Sequence, residues 1–512
     1  MQKRSILRKT FNFGAFTLLS RLLAFPRVFL QLKFLGTGAL ADAFIAAFKL
    51  PNFFRRIFAE GALSAAFIPS YVQLTKKKNH KTANGTMSLA FLFFEGIVLL
   101  LCVFVFFFPE IVLKLVTPGF SAKQISYAVP LLQILFPLLF FISSSALLSG
   151  ALQAKDHFFA QSFGPVLHNI AYVGTLIFCL MYHQTPTILA VGILVGGSLV
   201  FILHVTLYLS YHFTFGTITQ EARREFKNIL KKFLPCLIGV GVVEINIYLD
   251  MVISSYLPEG SITLLYVGNR FMNLPLGIFA VAFSTILLPH FSRISTYAPK
   301  RLHFYLIETA KFITWMIVPT MLFLFFVAPT ILTHFLSDKS RVQETVAILV
   351  CYSSGLVFYC FNKVLINMFY ARHDTWYPTV ASIIATAINL VFSIIGMHYY
   401  GAPGVAASTA ISGAALTAIC LFFLYKKHKF RIHAGNYLVF LGRYSVNLLI
   451  GIALFLGAHK LFCYLLSQTS WHSFFCIRWG YWIFTIPLFL FTMMVMFFIK
   501  DLCKLKLYFL KR

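Results

Sequence analysis

Residues 42–69, DAFIAAFKLPNFFRRIFAEGALSAAFIP, are apolar enough to enter a bilayer yet carry Asp42, Lys49, Arg55, Arg56 and Glu60. A charge at mid-bilayer costs about 2.5 to 3.5 kcal/mol on insertion scales, so five in one segment require a protein interior or a water-filled cavity that receives them. The remainder of the chain sets the context. Of its 512 residues, 59% are hydrophobic and 11% charged, and the mean hydropathy is +0.82, outside the range of a soluble globular domain. This is the composition of an all-α polytopic membrane protein. The net charge of +28 would suit nucleic acid, but the Lys and Arg outside the apolar runs sit in short loops between them. That is the positive-inside pattern, so no nucleic-acid partner is expected.

Apolar windows long enough to cross a hydrocarbon core predict fourteen transmembrane helices. Their expected limits are 10–35, 39–74, 85–109, 122–153, 157–182, 187–213, 228–256, 261–292, 303–336, 342–371, 376–399, 403–426, 437–466 and 473–500. With the N-terminus in the cytoplasm, the basic stretches KKKNHK at 76–81, EARREFKNILKK at 221–232, KKHKFR at 426–431 and the C-terminal tail fall on one side. The opposite loops, such as LPEGS at 257–261, are short and nearly free of Lys and Arg, so both termini are expected in the cytoplasm. The N-terminal apolar run is interrupted by Arg21 and Arg27 and reads as an uncleaved first helix. Nine cysteines lie singly with no CxxC spacing and read as small apolar fillers.

An internal repeat organises the spans. LP at 50–51, IFA at 57–59 and IP at 68–69 echo LP at 274–275, IFA at 278–280 and LP at 288–289; QAKDHFFAQSFGP at 153–165 and Asn169 echo YARHDTWYPT at 370–379 and Asn389. The displacement is about 220 residues, or six helices, and an even number gives parallel repeats about an axis along the membrane normal. The expected architecture is two six-helix lobes around a central cavity, 1–215 and 216–432, followed by helices 13 and 14 with a basic tail at 433–512. That is a transporter plan.

Arg21 and Arg27 lie too deep in the first span for both to snorkel to one interface, and Pro26 between them permits a kink. Either they pair with Asp42 and Glu60 or they face the cavity. Asp42, Lys49, Arg56 and Glu60 recur at spacings of 7, 7 and 4, one narrow seam on a continuous helix, with Arg56 and Glu60 an i,i+4 ion pair. Arg55 stands about 100° away from that seam. The seam therefore reads as supporting ion pairs and Arg55 as a cavity residue, with a helix break after Lys49 expected from Pro51. Arg270, in GNRFMNLP, has no carboxylate within two turns. Arg21, Arg27, Arg55 and Arg270 suit bidentate contact with phosphate, and Lys311 and Lys363 are weaker candidates. Asp250, Asn389, Ser393 and Thr409 are hard oxygen donors at membrane depth, fit either for Na⁺ or a proton or for interhelical hydrogen bonds. Glu244 can replace Asp250 in that set, and Glu95 has no evident partner in the sequence.

SRLLAFPR at 20–27 with the 42–69 block resembles the signature of the MurJ/MviN family of lipid II flippases. The likeness continues through TPGF at 117–120, GNRFMNLPLGIFAVAFSTILLP at 268–289 and YARHDTWYPT. The resemblance implies a transporter of the multidrug/oligosaccharidyl-lipid/polysaccharide superfamily. It would flip undecaprenyl-diphosphate-linked peptidoglycan precursor across the bacterial inner membrane, serving cell wall synthesis or division machinery. It implies substrate roles for Arg21, Arg27, Asp42, Arg55 and Arg270, a lipid-tail groove beside helices 13 and 14, and coupling to Na⁺ or protons. Asp250, Asn389, Val405 through its carbonyl and Thr409 match a sodium site proposed in the family. This chain has Val28 and Asn273 where the family pattern often carries acidic residues, and Ser393 where an aspartate would strengthen a cation site.

Two rivals stand against this reading. A cation-coupled drug exporter of the same superfamily needs cavity carboxylates where this chain has arginines. A membrane enzyme acting on undecaprenyl-diphosphate needs a paired His and acid or a DxD motif; His157, His168 and His290 stand alone, so no enzymatic activity and no other cofactor are expected.

Overall fold

The computed structural model describes residues 2–57, 63–76, 79–297, 301–336, 338–372, 374–428, 434–467, 480–505 and 507–508, and among them every regular element is helical. In chain order these are α1 (Gln2–Leu35), α2 (Ala39–Arg55), α3 (Ser64–Lys76), α4 (His80–Phe107), α5 (Pro109–Val116), α6 (Ala122–Leu135), α7 (Leu138–Ala154), α8 (Phe159–Met181) and α9 (Pro186–Ser210). There follow α10 (Gln220–Ser254), α11 (Ser261–Tyr297), α12 (Leu302–Phe335), a 3₁₀ turn at Lys339–Arg341, α13 (Val342–Ser354), α14 (Leu356–Tyr370), α15 (Trp376–Tyr400), α16 (Ala402–His428), α17 (Ala434–Leu466) and α18 (Gly480–Ile499). Among the described residues, 11 helical stretches are long and apolar enough to cross a membrane. The three further spans expected at 39–74, 228–256 and 261–292 are helical over most of their length but fall outside that set.

The expected break after Lys49 is not found. Helix α2 runs through Pro51 to Arg55, and wider π-type turns begin at Arg56 and Ile57. Proline removes only its own N–H, and the Asn52 side chain donates to the Phe48 carbonyl at 2.7 Å, so the turn survives. Glu60 lies outside the described residues. Span 4 divides into α6 and α7, and span 10 into α13 and α14.

The chain divides by packing into two compact units, residues 1–266 with 335–338, and 267–334 with 339–512. This division follows contacts, whereas the lobes expected at 1–215 and 216–432 follow the repeat; α10, the seventh expected span, packs on α3 and α4 of the first unit. Among the described residues the first unit has three buried apolar clusters. One joins α2, α6, α8 and α9 through Phe44, Leu132, Tyr172 and Ile193, a second joins α3, α4, α7 and α10 through Phe67, Met87, Leu148 and Phe233, and a small third sets Ile45 of α2 against Ile262 and Tyr266 of α11. In the second unit Trp315 of α12 packs with Phe440 and Tyr444 of α17 and Met496 of α18, which binds the last two helices to α12.

Candidate functional site

The site of the first unit begins with α1 lying against α8. Arg27 is buried at 8% exposure. Its Nη1 donates to Asn169 Oδ1 at 3.0 Å, and its guanidinium lies 4.8 Å from the centroid of the Tyr172 ring. Asn169 in turn donates to the backbone carbonyl and hydroxyl of Ser20, both at 3.1 Å, and Tyr172 donates its hydroxyl to Gln31 Oε1 at 3.1 Å. Two turns of α8 therefore hold one arginine of α1 with neutral groups, a cation–π face and an amide oxygen. Arg27 Nε is buried without a hydrogen-bond partner. The alternative in which Arg27 pairs with Asp42 does not occur: no described carboxylate bonds it.

His168, one residue before Asn169 on α8, has its Nδ1 buried without a hydrogen-bond partner among the described residues. Arg55 is half-buried and Arg21 is exposed on the turn adjoining Ser20. Arg270 is half-buried on α11, in the second unit. In that unit Lys311 pairs with Glu308 at 2.7 Å and Lys363 is exposed.

The three described members of the α2 seam all face α10 or the start of α11. Lys49 Nζ lies 6.0 Å from the centroid of the Tyr266 ring, and Arg56 Nη1 bonds Glu244 Oε2 at 3.2 Å. Asp42, 1% exposed, caps α11: it accepts from the Gly260 N–H at 2.6 Å, the Thr263 N–H at 2.8 Å, the Thr263 hydroxyl at 2.6 Å and Gln124 Nε2 at 3.4 Å. A carboxylate there satisfies N–H groups that the first turn leaves open and complements the helix dipole. Gly260 has φ +96°, which L side chains rarely adopt, so glycine is required to turn this N–H toward Asp42. Beside it, the Gly119 N–H donates to Ser255 Oγ at 3.0 Å and Ser121 Oγ donates to Glu259 Oε1 at 3.3 Å, so the TPGF loop joins the same seam. Tyr248 of α10 adds a bond to the Leu115 carbonyl at 2.8 Å.

The expected orientation of Asp42 toward an arginine of α1 is thus replaced by a helix cap. Spacing within α2 revealed its seam but not the partners, which lie about 200 residues away in sequence. Asn169 carried one signal, its place in the internal repeat opposite Asn389, and Tyr172 and Gln124 carried none. Glu244, considered for a cation site, is engaged by Arg56.

The candidate sodium donors do not come together as a charged site within one unit. Asp250 belongs to the first unit, and Asn389, Val405 and Thr409 to the second. The Val405 carbonyl accepts the hydroxyls of Ser408 at 2.7 Å and Thr409 at 3.3 Å, and Ser408 also bonds Ser393 at 2.5 Å. In the second unit this is a neutral hydrogen-bonded set, the polar glue of a helix bundle rather than a cation cage, and we derive no step through sodium.

The family model described as lipid II flippase MurJ matches residues 32–481. The chain is 31% identical over 433 residues to a probable lipid II flippase MurJ of Vibrio cholerae, covering 80% of this chain and 81% of that protein. It is 27% identical over 477 residues to a protein of the same description from Buchnera aphidicola, covering 89% and 91%. A solved structure of lipid II flippase MurJ in an inward closed conformation superposes with a TM-score of 0.78 at 27% identity, covering 96% of this chain and 99% of that one. An inward-facing multidrug resistance MATE family transporter of the MOP superfamily shares the fold, with a TM-score of 0.62 at 15% identity over 81% of this chain and 94% of its own.

Proposed function

This chain belongs to the lipid II flippase MurJ family, and on that premise we propose that it flips lipid II from the inner to the outer leaflet of the bacterial inner membrane by alternating access. The observation that carries the reading is Arg27: a guanidinium buried in the membrane-spanning part, held only by an amide oxygen and an aromatic face among the described residues, with an unused donor. Burying a cation with so little compensation costs stability, and a ligand that arrives with negative charge offsets it. A diphosphate offers several acceptors in a geometry that guanidinium groups meet bidentately. A cationic drug offers none.

In this reading Arg21, Arg27, Arg55 and Arg270 are the substrate-binding residues, suited by their guanidinium groups to a diphosphate. The polyprenyl tail stays in lipid along α17 and α18. In the proposed arrangement of fourteen spans in two repeated lobes with both termini cytoplasmic, the Asp42 seam lies at the periplasmic end. The seam is then the closure that must part before the head group leaves outward, so Asp42 serves the cycle as a gate and not as a diphosphate ligand. No covalent step is needed, and the product passes to the peptidoglycan-polymerising machinery.

Expression in cells depleted of their own flippase, with lipid II measured at the outer leaflet, tests the function. Restored export is expected; lipid II trapped in the inner leaflet despite normal membrane insertion would refute it.

A further inference from the structure

A second buried charge-bearing group of the first unit has no part in the scheme above. Glu95, in the middle of α4, is 2% exposed. Its Oε2 accepts the hydroxyl of Ser143 on α7 at 2.7 Å, and its Oε1 has no hydrogen-bond partner. The Ser144 hydroxyl lies beside the carboxyl, itself without a partner. No described cation pairs with Glu95. Helix α7 contributes no ionisable side chain. Of those on α3 and α10, Lys232 is bonded to Ser70, Glu244 to Arg56, and Tyr71 is buried without a bond to Glu95. The ionisable residues of α5 and α6 are exposed, and Cys102, two turns along α4, is the titratable neighbour facing Glu95.

Ser143 gives this carboxyl two ways to be satisfied. Its single hydroxyl proton has two acceptors in reach, Glu95 Oε2 at 2.7 Å and the Phe140 carbonyl at 3.3 Å. With Glu95 ionised, Ser143 donates to the carboxylate. With a proton on Oε2, the carboxylic acid donates to Ser143 Oγ and the serine proton turns to the Phe140 carbonyl. One proton is gained, one hydroxyl rotates, and no heavy atom has to move. A buried carboxyl serving only a structural role needs one of these arrangements; this one has both.

We propose that Glu95 and Ser143 form a proton-binding site between α4 and α7, which takes up and releases one proton as the transporter works. The neighbouring Phe94 contacts Phe233 of α10 at 4.9 Å between ring centroids, so a change in the α4–α7 contact reaches the helix that bears Glu244, the partner of Arg56. Proton binding at this site is independent of the transported substrate. Its link to transport rests on the function proposed above.

Infrared difference spectroscopy of the full-length protein in lipid nanodiscs, titrated over about pH 4 to 9, reads the site directly. A protonated-carboxyl band that titrates in the wild type, is missing in Glu95→Gln and is displaced in Ser143→Ala is expected. Absence of a titrating band, or the same band in Glu95→Gln, overturns the proposal. Lipid II flipping in vesicles with and without an imposed pH gradient supplies the second arm. Acceleration by the gradient in the wild type and none in Glu95→Gln supports coupling, and equal response in both rejects it. If neither protein flips lipid II, the proposed function fails while the infrared result still decides the proton site.

Discussion

Asp42 and Arg27 are both buried charges of the first unit, and they are treated in opposite ways. Asp42 is surrounded by two backbone N–H groups, a hydroxyl and an amide, and its demand is met from α11 and α6. Arg27 makes one hydrogen bond, lies over one ring and keeps a buried donor unused. A charge whose partners are all supplied by the fold fastens the fold; a charge left short of partners is a receptor for what the fold lacks. The same protein therefore separates closure from recognition by how fully it satisfies each charge.

Breaking the fastened charge has the largest expected effect. Asp42→Ala leaves the Gly260 and Thr263 N–H groups buried without acceptors, and thermal unfolding in detergent should show a loss of about 2 to 4 kcal/mol. Asp42→Asn should recover part of this, because the amide oxygen still accepts. An Asp42→Ala protein as stable as wild type would remove the distinction.

Removing the under-satisfied charge should do the reverse. Arg27→Ala should insert and fold with little loss of stability while lipid II flipping falls about tenfold to a hundredfold, the worth of one charge-assisted contact. Arg27→Lys should not restore the rate, since an ammonium group cannot reproduce the planar fork over Tyr172. Transport assays paired with unfolding curves separate the two outcomes.

The Arg56–Glu244 pair lies between the extremes, with side chains 40% and 10% exposed. A double-mutant cycle of Arg56→Ala and Glu244→Gln should give a coupling of about 0.5 to 1 kcal/mol, discounted for solvent screening of the exposed arginine. A much larger coupling would make this pair a fastening like Asp42.

The smallest effect is at the exposed start of α10. Hydrogen bonds from Thr82 and Asn79 hold the exposed Glu221 carboxyl below its ordinary range. A depressed carboxylate contributes stability above its unfolded value that is lost as pH falls through the folded one. Acidification below about pH 4.5 should therefore lower the unfolding temperature slightly, and Glu221→Gln should flatten that slope.

The helical membrane class was legible because apolar windows leave little choice of structure in lipid. The seam of α2 was legible as well, since periodicity fixes which residues share a face: Asp42, Lys49 and Arg56 do face α10 and α11. What those faces meet was hidden. Asp42 finds its partners at Gly260 and Thr263, and Arg27 at Asn169 and Tyr172, through tertiary contacts that no local pattern encodes. The continuation of α2 through Pro51 was also misread, because one missing N–H costs less than breaking a packed helix.

The central claim, that the under-satisfied Arg27 of the first unit carries lipid II, is tested most directly by flipping in vesicles. Purified protein would be reconstituted with lipid II, and the fraction reached by an externally added lipid II-modifying enzyme would be followed over time. The account predicts that wild-type protein renders inner-leaflet lipid II accessible and that Arg27→Ala, equally folded, does so at a tenth of the rate or less. Equal rates for the two proteins would contradict it.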